Sequence, residues 1–182
     1  MNTDLVDEML RAVQNSEPYT LGDAELVPPM VLRSEAKASV AWEPSDIENA
    51  LGVKLPRENE LLWSRASELR LNEDVTYGQW GCILWSPVEV VARHKQAVGW
   101  RGADNFGAGD VIIGEFRGDT DLVVLRCDPS KSDYGKIVIA LAIDSRNEWP
   151  FVASSITDFV LQFLSDPERK FWEFPRGGER AG

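Results

Sequence analysis

The sequence predicts an α+β fold in which N-terminal helices precede an antiparallel meander sheet and a C-terminal helix closes the domain. Three observations carry that expectation. Two helix-start signals, Ser45-Asp46-Ile47-Glu48 and Ser86-Pro87-Val88-Glu89, fall in the first half of the chain. Three β-branched runs, Asp110–Phe116, Leu122–Cys127 and Lys136–Ile143, then follow one another with only polar loops between them. After them, Ile156, Phe159, Val160, Phe163 and Leu164 recur at helical spacing. Strands and helices do not alternate as a parallel sheet would require. The 182 residues suit one compact domain, and 43 % hydrophobic residues exclude wholesale disorder.

Each element has a local cause. Residues 4–14 place Leu5, Met9, Ala12 and Val13 at helical spacing, with Thr3 as N-cap. From there to residue 44 the chain is punctuated by Pro18, Gly22 and Pro28-Pro29, with short strands expected at Val31-Leu32 and Val40-Ala41-Trp42. This stretch holds too few apolar residues for a core of its own, so 1–44 reads as a helix and a wrapping extension. Ser45 caps a short helix over 46–51 that Gly52 closes, and Pro56 opens a helix reaching about Leu71 on Leu62, Ala66 and Leu69. Gly81–Trp85 is a strand, and Ser86 caps a helix that ends at about Val98, before Gly99. The turn formers Arg117-Gly118-Asp119-Thr120-Asp121 join the next two strands into a hairpin. Lys136–Ile143 continues the meander, Phe151-Val152-Ala153 is a short edge strand, and Ser155 caps the last helix. Residues 166–182 form a polar tail, interrupted by Phe171-Trp172 and Phe174.

Charge restricts the partners. Nineteen Lys and Arg against 30 Asp and Glu leave a net −11. Nucleic acids and anionic membranes bind by having their phosphates neutralised, so such a chain is repelled by both. It attracts basic proteins, although acidity also serves solubility alone. Cys82 and Cys127 lie far apart in apolar surroundings and read as buried free thiols. The opening MNTDLVDEML lacks the basic and apolar regions of a signal peptide, and no apolar run approaches the ~20 residues of a membrane span. A cytoplasmic protein is expected.

No motif points to catalysis. The single histidine, His94, sits between Arg93 and Lys95 without a GxSxG elbow, and reads as a solvent-facing helix residue. Gly107-Ala108-Gly109 precedes a strand, whereas phosphate loops precede a helix, so it reads as a tight turn. Three scattered Cys and His residues do not make a zinc site. Asp104, Asp110, Glu115, Asp119, Asp121, Asp128 and Asp133 gather around the strands as the acid–base pair or divalent-ion site of a small enzyme, as solvated turns, or as an acidic edge facing a partner. Seven tryptophans are many for this length. Trp63 and Trp85 read as core, while Trp80, Trp100, Trp149 and Trp172 fall in loops, where tryptophan either plugs a core edge or anchors a partner.

The order of motifs resembles the SUKH superfamily, Smi/Knr branch. Asp46–Pro56 (DIENALGVKLP) with a helix behind it is similar to the opening of that family. Ile83–Glu89 is similar to its next strand and helix, and Gly109–Gly114 through Asp121–Leu125 to its central hairpin. Val152–Ser155 leading into Phe159 and Leu164 is similar to its closing strand and helix. Leu71-Asn72-Glu73 half matches the Asn-Gly step usual after the long helix, and Arg117-Gly118-Asp119 replaces a glycine cluster. The resemblance covers residues 45–165. It implies a SUKH-like domain without catalytic activity, cofactor or metal, and in many bacterial members an immunity role against a polymorphic or contact-dependent toxin of nuclease or deaminase type. The expected partner is a basic toxin, bound by Trp100, Asp104, Glu115, Asp119 and Asp121, with Asp128 and Asp133. A scaffold or regulatory domain binding a housekeeping protein is the alternative.

Overall fold

The computed structural model describes residues 3–22 and 28–173. Helix α1 (Thr3–Gln14) buries Val6, Met9 and Val13 completely, while Leu5 is exposed. The Thr3 side chain expected as its cap lies outside the described residues, as do Phe174 and the rest of the tail from there. Strands β1 (Tyr19–Leu21) and β2 (Met30–Ala38) follow. Of the two short strands expected here, Val31-Leu32 belong to a nine-residue strand, and Val40-Ala41-Trp42 is not a strand.

Helix α2 (Pro44–Leu51) starts two residues earlier than expected, because Pro44 occupies the first turn, where its missing N–H is harmless. Asp46, not Glu48, closes the capping box by accepting the Glu43 N–H at 3.0 Å. Glu48 instead accepts the Leu55 N–H at 3.0 Å and pairs with Lys54 at 2.8 Å. Gly52 ends the helix at φ 67°, as expected of a C-cap glycine.

Helix α3 (Arg57–Arg65) is shorter than its apolar spacing suggested, since residues 66–74 form β3 (Ala66–Asp74). In Glu68-Leu69-Arg70-Leu71 the apolar positions recur every two residues, so a strand buries both leucines while Arg70 bonds Glu68 and Glu73 on the other side. Pairing with β2 on one side and β4 (Cys82–Leu84) on the other decides between the two periods. Helix α4 (Pro87–Arg101), β5 (Asp110–Phe116), β6 (Leu122–Arg126), β7 (Ile137–Ala140), β8 (Phe151–Ala153) and α5 (Ile156–Ser165) complete the chain. Ser86 and Ser155 both act as N-caps, accepting from Glu89 N–H and Asp158 N–H.

The fold is thus α+β, with five α-helices among the described residues and one eight-stranded sheet in the order β1 to β8, every neighbouring pair antiparallel. Helices α4 and α5 cover opposite faces. On β5, Glu115 meets Arg93 of α4, while the adjacent Phe116 packs against Phe163 of α5. Coverage on both sides explains why β5, β6 and β7 are buried almost continuously. Both cysteines are free, buried thiols, and burial pushes each thiol well above its ordinary range.

Two further expectations change. Residues 166–173 are not a free polar tail. Phe171 and Trp172 pack among Phe116, Phe159 and Phe163, Pro167 accepts the Trp80 indole N–H at 2.9 Å, and Tyr19 donates to Glu168. Nor does His94 face solvent. Its Nδ1 accepts the Ile112 N–H at 3.1 Å, tying α4 to β5, and burial lowers the imidazole below its ordinary value.

Candidate partner-binding site

The site is built around the last turn of α4. Gly99 was expected to end this helix, but α4 continues to Arg101 and ends at Gly102, whose φ is 88°. Glycine inside a helix costs about 1 kcal/mol relative to alanine. Here Arg101 offsets that cost by bonding backbone carbonyls: Nη1 donates to Ala140 (2.8 Å) and Leu141 (3.2 Å), and Nη2 to Thr120. Strand β7 ends at Ala140, beside these bonds and three residues short of the run's last residue, Ile143. Burial lowers the Arg101 guanidinium from its ordinary value, although Asp121 and Asp119 oppose the shift.

This extra turn projects Trp100, whose side chain is 81 % exposed. On one side of it lies a cavity of about 430 Å³, walled by Trp85, Arg93 and Arg101 and by Glu115, Asp119 and Asp121. On the other side a second cavity of about 430 Å³ is lined by Leu141, Ile143 and the buried Trp149. Ile143 is 96 % exposed. Two large apolar side chains, Trp100 and Ile143, therefore border one opening.

The hairpin tip is clamped from both faces of the sheet. Arg101 reaches Thr120 from the α4 side. From the α5 side Lys170 contacts Asp119 and stands 3.2 Å from Asp121, its ammonium 5.1 Å from the Phe116 ring centre. Burial pushes the Lys170 amine down, but the two carboxylates outweigh it and hold it above its ordinary value. Gly118 lets the tip approach the chain before β4, since a Cβ there would overlap the Gln79 carbonyl oxygen. Glu115 lies 3.5 Å from Arg93, which also bonds Glu89 at 3.0 Å and sits over the Trp85 ring. Replacing Lys170 with methionine removes two charge-assisted contacts and leaves two carboxylates facing each other. A loss of about 1–3 kcal/mol in denaturant unfolding is expected, with faster amide exchange at residues 117–121.

The seven residues singled out in the sequence divide into two groups. Trp100, Glu115, Asp119 and Asp121 line one cavity, and Asp104 is an exposed residue of the 3₁₀ turn Ala103–Asn105 that follows α4. Asp128 and Asp133 lie beyond the far end of β6, a strand about 17 Å long. There Asp128 accepts Ser130 N–H at 3.0 Å, and Asp133 is 3.5 Å from Arg126. Asp110 is no surface acid either: its side chain is fully buried, bonded to Arg126 and Arg146. A single acidic face spanning all of them is therefore not formed. Arg93, Arg101, Ile143 and Lys170 are the site residues that sequence reading missed. The signal for Lys170 was the aromatic pair Phe171-Trp172 beside it.

Among the described residues, no group of three or more His, Cys, Asp or Glu side chains is gathered as a metal site would need, and no helix is long and apolar enough to cross a membrane. No protein-family model matches the chain, and no curated protein matches it. The SUKH resemblance rests on the order of motifs within residues 45–165.

Proposed function

We propose that this chain is a non-catalytic protein-binding domain, an immunity protein that neutralises a basic toxin of nuclease or deaminase type in the cytoplasm. The observation that carries the protein-binding part is the exposed Trp100 beside the exposed Ile143, between two open cavities and beside a charged rim. An aromatic anchor with a polar border is the usual anatomy of a protein interface. The toxin part is supported by the resemblance and by the net charge of −11, which favours a basic partner.

Affinity capture with the tagged chain, followed by reconstitution of the purified partner, tests this reading. A basic protein whose toxic activity is abolished by a stoichiometric amount of the chain supports it. A housekeeping protein as the specific partner transfers support to the scaffold alternative. If long-range charge speeds encounter, the association rate falls steeply between low and physiological salt, as the Debye length shrinks to about 8 Å. Stopped-flow rates that are flat with salt contradict the steering part.

A further inference from the structure

We propose that residues 166–173 are a latch on the partner site. The latch is released as a unit while the sheet stays folded, and its release turns the cavity wall beside Trp100 from neutral to acidic. The role of that second step rests on the basic-partner reading above and deepens it by giving the site a closed and an open form.

The way this segment is held makes it separable. After α5 ends at Ser165, residues 166–173 belong to no helix or strand. Among the described residues, the backbone–backbone bonds donated from 167–173 are local, Arg169 N–H to Asp166 and Glu173 N–H to Lys170. Side chains make the contacts with the rest of the chain. Tyr19 of β1 donates to Glu168, the Trp80 indole N–H to the Pro167 carbonyl at 2.9 Å, and Lys170 to Asp119 and Asp121. Phe171 and Trp172 add ring contacts with Phe159 and Phe116. A central strand shares backbone bonds with both neighbours and opens only with them. A segment held by side chains opens by itself, at a lower free energy than the sheet.

Lys170 connects that opening to the site. It reaches the hairpin tip from the α5 side, while Asp119 and Asp121 also line the cavity on the α4 side. With the latch closed, Lys170, Arg93 and Arg101 stand against Glu115, Asp119 and Asp121, so the charges balance. With it open, two guanidinium groups face three carboxylates, and Arg93 is also shared with Glu89. A basic partner therefore binds the open form more strongly. Such a difference in affinity is what a ligand needs to shift a two-state equilibrium.

Native-state hydrogen exchange of the full chain tests the latch without the partner. The latch reporters are the Trp80 indole N–H and the Glu173 amide. The tip reporter is the Asp121 amide, which donates to the Asp119 carboxylate at 2.7 Å. The latch reporters should exchange about 100-fold or more faster than the buried β6 amides of Val123 and Val124, at rates nearly independent of low denaturant. Tyr19→Phe, in edge strand β1, should speed them about threefold and carry the Asp121 amide with them, and Lys170→Met should speed all three about tenfold. Latch reporters that exchange only with the unfolding that releases Val124 overturn the latch, as does a Tyr19→Phe effect that stops short of Asp121. With the captured basic partner bound, the Trp80 indole N–H should exchange faster while the hairpin amides slow, and Lys170→Met should bind at least about threefold more tightly. A complex in which the Trp80 indole N–H is slowed overturns the coupling of latch to partner. A captured partner that is not basic removes the basic-partner reading and leaves the exchange result on the free chain standing.

Discussion

Asp110→Asn is expected to destabilise the fold by about 3–5 kcal/mol, measured as the change in denaturant midpoint at constant slope. Asp110 is fully buried at the start of β5 and faces Arg126 of β6 and Arg146, and it accepts the Gly107 N–H at 2.7 Å. Arg126 is itself buried, with a side chain 9 % exposed. Removing the carboxylate charge leaves that guanidinium with only Asp133, at 3.5 Å and half in solvent. Arg146→Ala costs less, because Arg146 is 43 % exposed and its charge is screened. The network also sets a pH dependence. Burial opposes ionisation of Asp110, but Arg146, Gly107 N–H and Arg126 outweigh it and hold its pKa below the ordinary carboxylate value. Its contribution to stability is therefore complete above about pH 4 and is lost as pH falls through its folded value. Asp110→Asn should flatten that part of the acid unfolding curve.

Trp100→Ala is expected to act on binding and not on the fold. An indole that is 81 % exposed contributes little to the core, so unfolding should change by less than about 0.5 kcal/mol. Affinity for the partner should fall by about 2–4 kcal/mol, roughly 30- to 1,000-fold, mostly through faster dissociation. Calorimetry on the partner and unfolding of the variant separate the two effects. Asp128→Lys, at the opposite end of the hairpin, serves as a surface control and should change affinity far less.

How much of this was legible in the chain depends on how local each cause is. Helices α4 and α5 announce themselves through Ser86 and Ser155, because a cap and its helix lie within four residues of each other. The β5–β6 hairpin is equally local, with its turn residues between two β-branched runs. Strand β3 is not local. Leu62, Ala66 and Leu69 satisfy a helical spacing while Leu69 and Leu71 satisfy an extended one, and only pairing with β2 and β4 selects the strand. The length of α4 likewise has a distant cause. Gly99 is a fair stop signal, but Arg101 finds three carbonyls on strands and loops far away in sequence and keeps the last turn helical. That turn is the one carrying Trp100. The site was visible in part, since the hairpin tip and Trp100 stood out as acidic and aromatic loop residues. Their neutralisation by Lys170 and the separation of Asp128 and Asp133 depend on which end of β6 each occupies, and that becomes clear only once the strands are paired.

The most direct measurement is amide hydrogen exchange of the chain alone and saturated with its captured partner. Slowed exchange at residues 93–101, 115–122 and 141–145, with the rest of the sheet unchanged, is the expected footprint. Slowing confined to residues 126–134 or to the β1–β2 edge, with the Trp100 turn unaffected, would contradict the account.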